Sequence, residues 1–213
     1  MKDADLIQFV AEHRVFGVVR AQSAESALRA AEAAIIGGIK LIEVALPTPG
    51  SFRVMSDLRH RYGDRACIGA GSVMAYDQVD RAVKSGAQFI AMPHTSTPLV
   101  EACHKYRVPA IIGALTPTEV ASAWSAGAPL VTLFPAGMLG GPYYLGALTS
   151  RISDIRLSVA GGVGPENIVD YFGAGAFAIA VGSRLFTHGD LQHENYTAIA
   201  ERARGIIRLA GVA

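Results

Sequence analysis

Glu43 stands inside an apolar run, Leu41-Ile-Glu-Val-Ala-Leu46, where a carboxylate would have to be buried. An unpaired buried charge is costly, so such a group is either paired, for instance with Arg20, or shifted in pKa. The chemistry this suggests for Glu43 is general acid/base work. Two further pairs, Gly161-Gly162 and Gly182-Ser183, each follow an apolar run. Turns of this kind let backbone N–H groups converge on an anion, with a helix N-terminus behind them, and the Ser183 hydroxyl could add a donor. Together they point to a phosphate or similar anion. Arg20 ends an apolar run and could grip a carboxylate through two parallel hydrogen bonds. Ser72 and His94 also follow such runs. His94 comes after a proline with no acidic partner near it in sequence, which favours a loop role. In Leu130-Val-Thr-Leu-Phe134 the hydroxyl of Thr132 shares a face with Leu130 and Phe134. Alone, it reads as a core threonine.

The elements that must position these groups repeat along the chain. Asp3 to Glu12 reads as a short helix. Apolar runs of strand type then follow at Val15–Arg20, Ile39–Leu46, Ala66–Ala70, Ala87–Met92, Val108–Ile112, Leu130–Phe134, Ile155–Val159 and Phe177–Val181. Each is followed by a helix. Ser23 is a candidate N-cap, Thr116-Pro-Thr-Glu119 has the spacing of a capping box, and the last helix spans about Gln192 to Leu209. Nearly continuous apolar strands alternating with helices predict parallel β/α units buried on both sides. Eight of them predict one domain over residues 1–213, a closed (β/α)8 TIM barrel with an extra N-terminal helix. An open doubly wound sheet would need a glycine fingerprint after the first strand, and Arg20-Ala-Gln-Ser23 has none. In the barrel, Arg20, Glu43, Ser72, His94 and the two glycine-containing turns all fall toward the C-terminal ends of strands, the active face of this architecture.

Composition narrows the function. The 213 residues carry a formal charge of +1, and 51% of them are hydrophobic. No segment concentrates Lys or Arg, which argues against nucleic acid and anionic membrane as partners. Cys67 and Cys103 suggest neither a metal spacing nor a disulfide framework. Glu43 and His94 are too few ligands for a metal, so no metal and no cofactor are expected. With no apolar signal core or spanning segment, a soluble cytoplasmic protein is the expectation.

Read in order, Gly17-Val-Val-Arg20, Gly37-Gly-Ile-Lys-Leu-Ile-Glu-Val44, Ile68-Gly-Ala-Gly-Ser-Val73 and Ser85-Gly-Ala-Gln-Phe89 resemble the KDPG/KHG aldolase family. Pro93-His94, Gly113-Ala-Leu-Thr-Pro-Thr-Glu119, Leu133-Phe-Pro135, Gly161-Gly-Val163 and Val181-Gly-Ser183 continue the match over nearly the whole chain. The resemblance implies a homotrimeric (β/α)8 barrel that makes or breaks pyruvate–aldehyde bonds through a lysine Schiff base. It assigns the acid/base role to Glu43 and the pyruvyl carboxylate to Arg20 and Ser72. It adds Pro93 and Phe134 to the substrate site and gives the phosphate to Gly161, Gly162 and Ser183. Pro47 falls where some members carry an arginine.

The same resemblance places the Schiff-base lysine at Thr132, and a threonine at Ala160. Of the four lysines, Lys40 starts the second strand, at the wrong end of the barrel, and Lys2, Lys84 and Lys105 fall in or beside helices. A threonine cannot form the cationic imine that accepts electrons in a class I aldolase. The expectation is therefore a pocket for a 2-oxo acid or sugar acid phosphate without Schiff-base aldolase activity. Two functions remain open for it: binding alone, or imine-independent enolisation or decarboxylation through Glu43.

Overall fold

The structure is a computed structural model and describes residues 1–212. Its eight strands are β1 (Val15–Val19), β2 (Leu41–Ala45), β3 (Cys67–Gly71), β4 (Ile90–Met92), β5 (Ala110–Ala114), β6 (Leu130–Leu133), β7 (Leu157–Ala160) and β8 (Ala178–Val181). They pair in sequence order, and the β1–β8 pairing closes the barrel. All the pairings are parallel. Helices α2 (Ala24–Ile36), α3 (Ser51–Tyr62), α4 (Tyr76–Lys84), α5 (Thr97–Tyr106), α6 (Pro117–Ser125), α7 (Pro142–Thr149) and α8 (Ile168–Gly173) return the chain between strands. Two more, α9 (His188–Gln192) and α10 (Tyr196–Leu209), follow β8. The fold is the (β/α)8 barrel that the periodicity implies.

The extra helix, α1 (Asp3–His13), has a clear physical task. Its Leu6 and Val10 pack against Phe16, Leu41, Cys67, Phe89 and Leu130, the inward-facing residues at the N-terminal ends of their strands. Phe16 and Phe89 meet edge to face with ring centroids 5.6 Å apart. Phe89 fits because Gly69 faces it: a Cβ there would fall 2.4 Å from the ring. The lower barrel is thus filled with large apolar groups. Higher up, the inward positions carry smaller or polar residues, and the interior opens.

A second apolar layer lies between strands and helices. The alanines of α2 let α10 approach closely: a Cβ on Gly37 would lie 2.4 Å from that of Ala203. The capping box at Thr116 forms, with Glu119 Oε2 accepting from the N–H groups of Leu115 and Thr116 at 2.7 and 2.8 Å.

Some boundaries differ from the sequence reading. β5 starts at Ala110 rather than Val108, because Pro109 has no N–H to give to a ladder. β7 spans Leu157–Ala160 rather than Ile155–Val159. The last helix starts at Tyr196, where the Asn195 side chain accepts from Ala198 N–H, and a separate short α9 precedes it. Among the described residues, no helix is long and apolar enough to cross a membrane.

Candidate active site

Inside the upper barrel is a cavity of about 140 Å3, lined by Val18, Glu43, Ser72, Pro93, Thr132, Phe134, Ser158 and Ala160, with apolar residues beneath. Strand register explains who meets whom. Val18 pairs with Glu43, and Glu43 with Gly69, on neighbouring strands. Gly113, Thr132 and Ser158 are likewise side by side. β2 and β6 are four strands apart in a ring of eight, so Glu43 and Thr132 stand on opposite walls.

The Glu43 side chain lies against Gly71, where a Cβ would fall 1.9 Å from its Oε1. Any larger residue at 71 would displace the carboxyl. Among the described residues no cation pairs with Glu43 and no protein group hydrogen-bonds it, so the ion pair with Arg20 considered from sequence does not form. Arg20 lies beyond the end of β1 and lines only the cavities further out. Burial without a compensating partner raises the Glu43 pKa from 4.5 to about 7. That is where a group can act as base and then as acid.

The shift has a stability consequence. From pH 4.5 to about 7 the folded protein holds a proton that the unfolded chain has released, so stability falls as pH rises through that window. Glu43→Gln removes the cost of burying the charge. Denaturant unfolding should find the variant more stable than the unmodified protein above pH 7, by up to about 3 kcal/mol, with the difference vanishing below pH 4.5. A pH-independent difference would mean that folding does not raise the Glu43 pKa.

Opposite Glu43, Thr132 Oγ1 and Ser158 Oγ form a hydrogen bond of 2.7 Å. Ser158 is almost wholly buried, and its Oγ also lies 3.4 Å from the Val131 carbonyl oxygen. The four lysines line neither this cavity nor the one above it. Lys84 pairs with Asp80 on α4, Lys105 donates to Tyr76 Oη, Lys2 is the N-cap of α1, and Lys40 precedes β2 at the floor end. Burial pushes the thiols of Cys67 and Cys103 up to about 12, which leaves them protonated rather than nucleophilic.

Above the inner cavity lies a second of about 420 Å3, lined by Arg20, Gly161, Gly162, Gly182, Ser183 and Arg184. Val18, Ser72, Phe134, Ala160 and Ala180 line both, so the two are continuous. Gly161 and Gly162 have φ of 83° and 81°, a region that favours glycine. The turn is held from outside, because Gly161 O accepts from Gly137 N–H at 2.9 Å and Gly162 O from Asn167 Nδ2 at 2.8 Å. Among the described residues, no protein acceptor meets the N–H groups of Gly162, Val163, Ser183 or Arg184. Arg184 pairs with Glu166, whereas Arg20 has no partner among the described residues. Ser72 has φ 57°, an uncommon left-handed conformation for a residue with a side chain.

All nine residues singled out as a site, Arg20, Glu43, Ser72, Pro93, Thr132, Phe134, Gly161, Gly162 and Ser183, line one cavity or the other. His94 is an exposed loop residue and lines neither. The helix N-terminus expected behind the glycines is absent. Residues 161–167 form turns before α8 begins at Ile168, and α9 begins only at His188, so the unsatisfied N–H groups belong to turns. Ser158 and Asn167 were not singled out from sequence. A period-two reading of Leu157-Ser-Val-Ala160 could have found Ser158, since a hydroxyl alternates there with apolar residues just as in β6.

A model of the family described as KDPG and KHG aldolase matches residues 6–202. The chain is 32% identical over 176 residues to the 2-dehydro-3-deoxy-6-phosphogalactonate aldolase of Escherichia coli K12, covering 82% of this chain and 85% of that protein. It is 28% identical over 199 residues to the 2-dehydro-3-deoxy-phosphogluconate aldolase of Treponema pallidum, covering 93% and 94%. Among solved structures, one match is the KDPG aldolase of Legionella pneumophila with pyruvate captured at low pH as a covalent carbinolamine. It matches with a TM-score of 0.87 at 26% identity, covering 97% of this chain and 98% of that one.

Proposed function

Because this chain belongs to the KDPG and KHG aldolase family, we infer that its pocket takes a 2-oxo acid carrying a phosphate, and that it handles this ligand without an imine. The observation that carries the reading is the content of the inner cavity: a carboxyl group with a pKa near 7 faces a pair of hydroxyls, and no lysine lines the walls. In this reading Arg20 and Ser72 hold the ligand carboxylate at the mouth, and Pro93 and Phe134 shape the walls around the carbon chain. The phosphate sits on the N–H groups of the turns at Gly162 and Ser183. Glu43 then removes and returns a proton on the carbon next to the ketone, which is enolisation. Pyruvate, which occupies the Legionella relative, is the smallest ligand with the required groups.

Decarboxylation finds less support. It would require the carboxylate to sit in a setting that favours its loss, whereas Arg20, without a partner among the described residues, is a cation at the mouth suited to retaining an anion. The proposal includes assembly into a homotrimer in the cytoplasm. In favour of assembly, Met138 and Tyr143 are exposed by 80% and 87% on adjoining segments, which suits burial against another copy.

The phosphate assignment is tested by Gly162→Val. Gly162 has φ 81° and its Cα edge lies against Gly137, so a branched side chain distorts the turn. Calorimetric titration should show at least tenfold weaker binding of a phosphorylated 2-oxo acid and an unchanged affinity for pyruvate. Equal losses for the two ligands would remove the phosphate from this turn.

A further inference from the structure

We propose that Thr132 and Ser158 form a two-hydroxyl device that holds the ketone oxygen of the ligand, with Thr132 as the contact group and Ser158 as its positioning residue. This rests on the 2-oxo acid reading of the pocket and deepens it. It assigns an electron sink to a pocket that has no imine-forming lysine.

Two hydroxyls carry two protons, and the 2.7 Å bond between them uses one. The second either goes to the Val131 carbonyl, which Ser158 Oγ approaches only at 3.4 Å, or is left over. At that distance the carbonyl is a weak competitor. When a better acceptor enters the cavity, Ser158 donates to Thr132 Oγ1 and the Thr132 proton points inward. Side-by-side register on β6 and β7 fixes the pair, and the near-total burial of Ser158 keeps water from competing for it. Thr132 is the more open of the two and lines the cavity directly.

The device faces Glu43 across the barrel, which places the hydrogen-bond donor and the base on opposite sides of the ligand. The step balances without any other reagent. The Glu43 carboxylate takes a proton from the carbon next to the ketone, and the freed C–H pair becomes a C=C bond. The carbonyl π pair moves onto the oxygen, where the Thr132 hydroxyl hydrogen-bonds the developing charge. Return of the proton restores the ketone, and nothing is oxidised or reduced. A donor aimed at a developing oxyanion in a dry site contributes on the order of a hundredfold or more in rate.

The test compares pyruvate with propanoate, which keeps the carboxylate and lacks the ketone oxygen. The unmodified protein should bind pyruvate roughly tenfold more tightly or better, as expected for a hydrogen bond that only one ligand can accept. Thr132→Val, equal in size, should bring the two affinities within about twofold by weakening pyruvate alone, and should slow exchange of the pyruvate methyl protons by on the order of a hundredfold. Thr132→Ser should restore both readouts. Ser158→Ala should reduce the preference only in part, because Thr132 keeps its proton and loses its orientation. Equal binding of the two acids by the unmodified protein overturns the device while leaving the pocket reading standing. So does a Thr132→Val variant that keeps the preference. Failure of the unmodified protein to bind either acid overturns both readings.

Discussion

Replacing Glu43 by glutamine is expected to lower the rate at which the protein exchanges the methyl protons of pyruvate with deuterated water by roughly 10²- to 10⁴-fold. Pyruvate affinity should change little, because the carboxylate grip is assigned to Arg20 and Ser72 at the mouth. The size of the effect follows from geometry. Among the described residues Glu43 is the only titratable side chain lining the inner cavity, so no neighbour there can take over as base. The pH profile supplies a second signature. Only the ionised carboxylate can accept a proton, so exchange in the unmodified protein should rise with pH and level off above about 7. The burial that raises this pKa is the same burial that costs stability above pH 7, so one group links the two measurements. Proton NMR of pyruvate in deuterated buffer reads the rate directly. An unchanged rate in the variant would show that Glu43 is not the base.

The second large effect is a gain. Thr132→Lys should let the protein trap pyruvate on borohydride reduction. The substituted position lines the cavity and faces Glu43, so an amine introduced there is placed to meet the ketone. Burial would lower its pKa and favour the neutral, nucleophilic form, while an ionised Glu43 would raise it. Reduction of the imine is irreversible, so even a small fraction of neutral, nucleophilic amine accumulates as trapped product. The change also removes the Thr132–Ser158 bond and adds bulk, and Ala160→Thr is the companion substitution suggested by the family resemblance. Intact-mass measurement after reduction checks the result. A variant that folds and binds pyruvate yet gains no mass would mean that position 132 does not point at the ketone.

Which of these features could be read from sequence depended on whether the signal was local. Glu43 was legible because a charge interrupting an apolar strand conflicts with its surroundings, and such conflicts mark functional sites. The glycines at 161 and 162 were legible because few residues adopt the turn they form. The barrel was legible from eight repeats of one pattern. What escaped depends on contacts between distant segments. Ser158 matters because register sets it beside Thr132, and its alternation with apolar residues along β7 marks only an inward hydroxyl, not that pairing. Asn167 matters because its amide closes the glycine turn, which no spacing rule reveals. Pairing Arg20 with Glu43 was reasonable by charge, but Arg20 lies past the end of β1 while Glu43 lies within β2. The expected helix N-terminus gave way to turns because Gly164-Pro-Glu-Asn167 delays α8 to Ile168.

In the proposed function this family member meets a 2-oxo acid without forming an imine. This is tested most directly by the intact mass of the unmodified protein after borohydride reduction in the presence of pyruvate, under conditions where methyl-proton exchange is under way. An unchanged mass is expected, because none of the four lysines lines either cavity. A mass increase by one reduced pyruvate, mapped to any lysine and formed as fast as exchange, would contradict it.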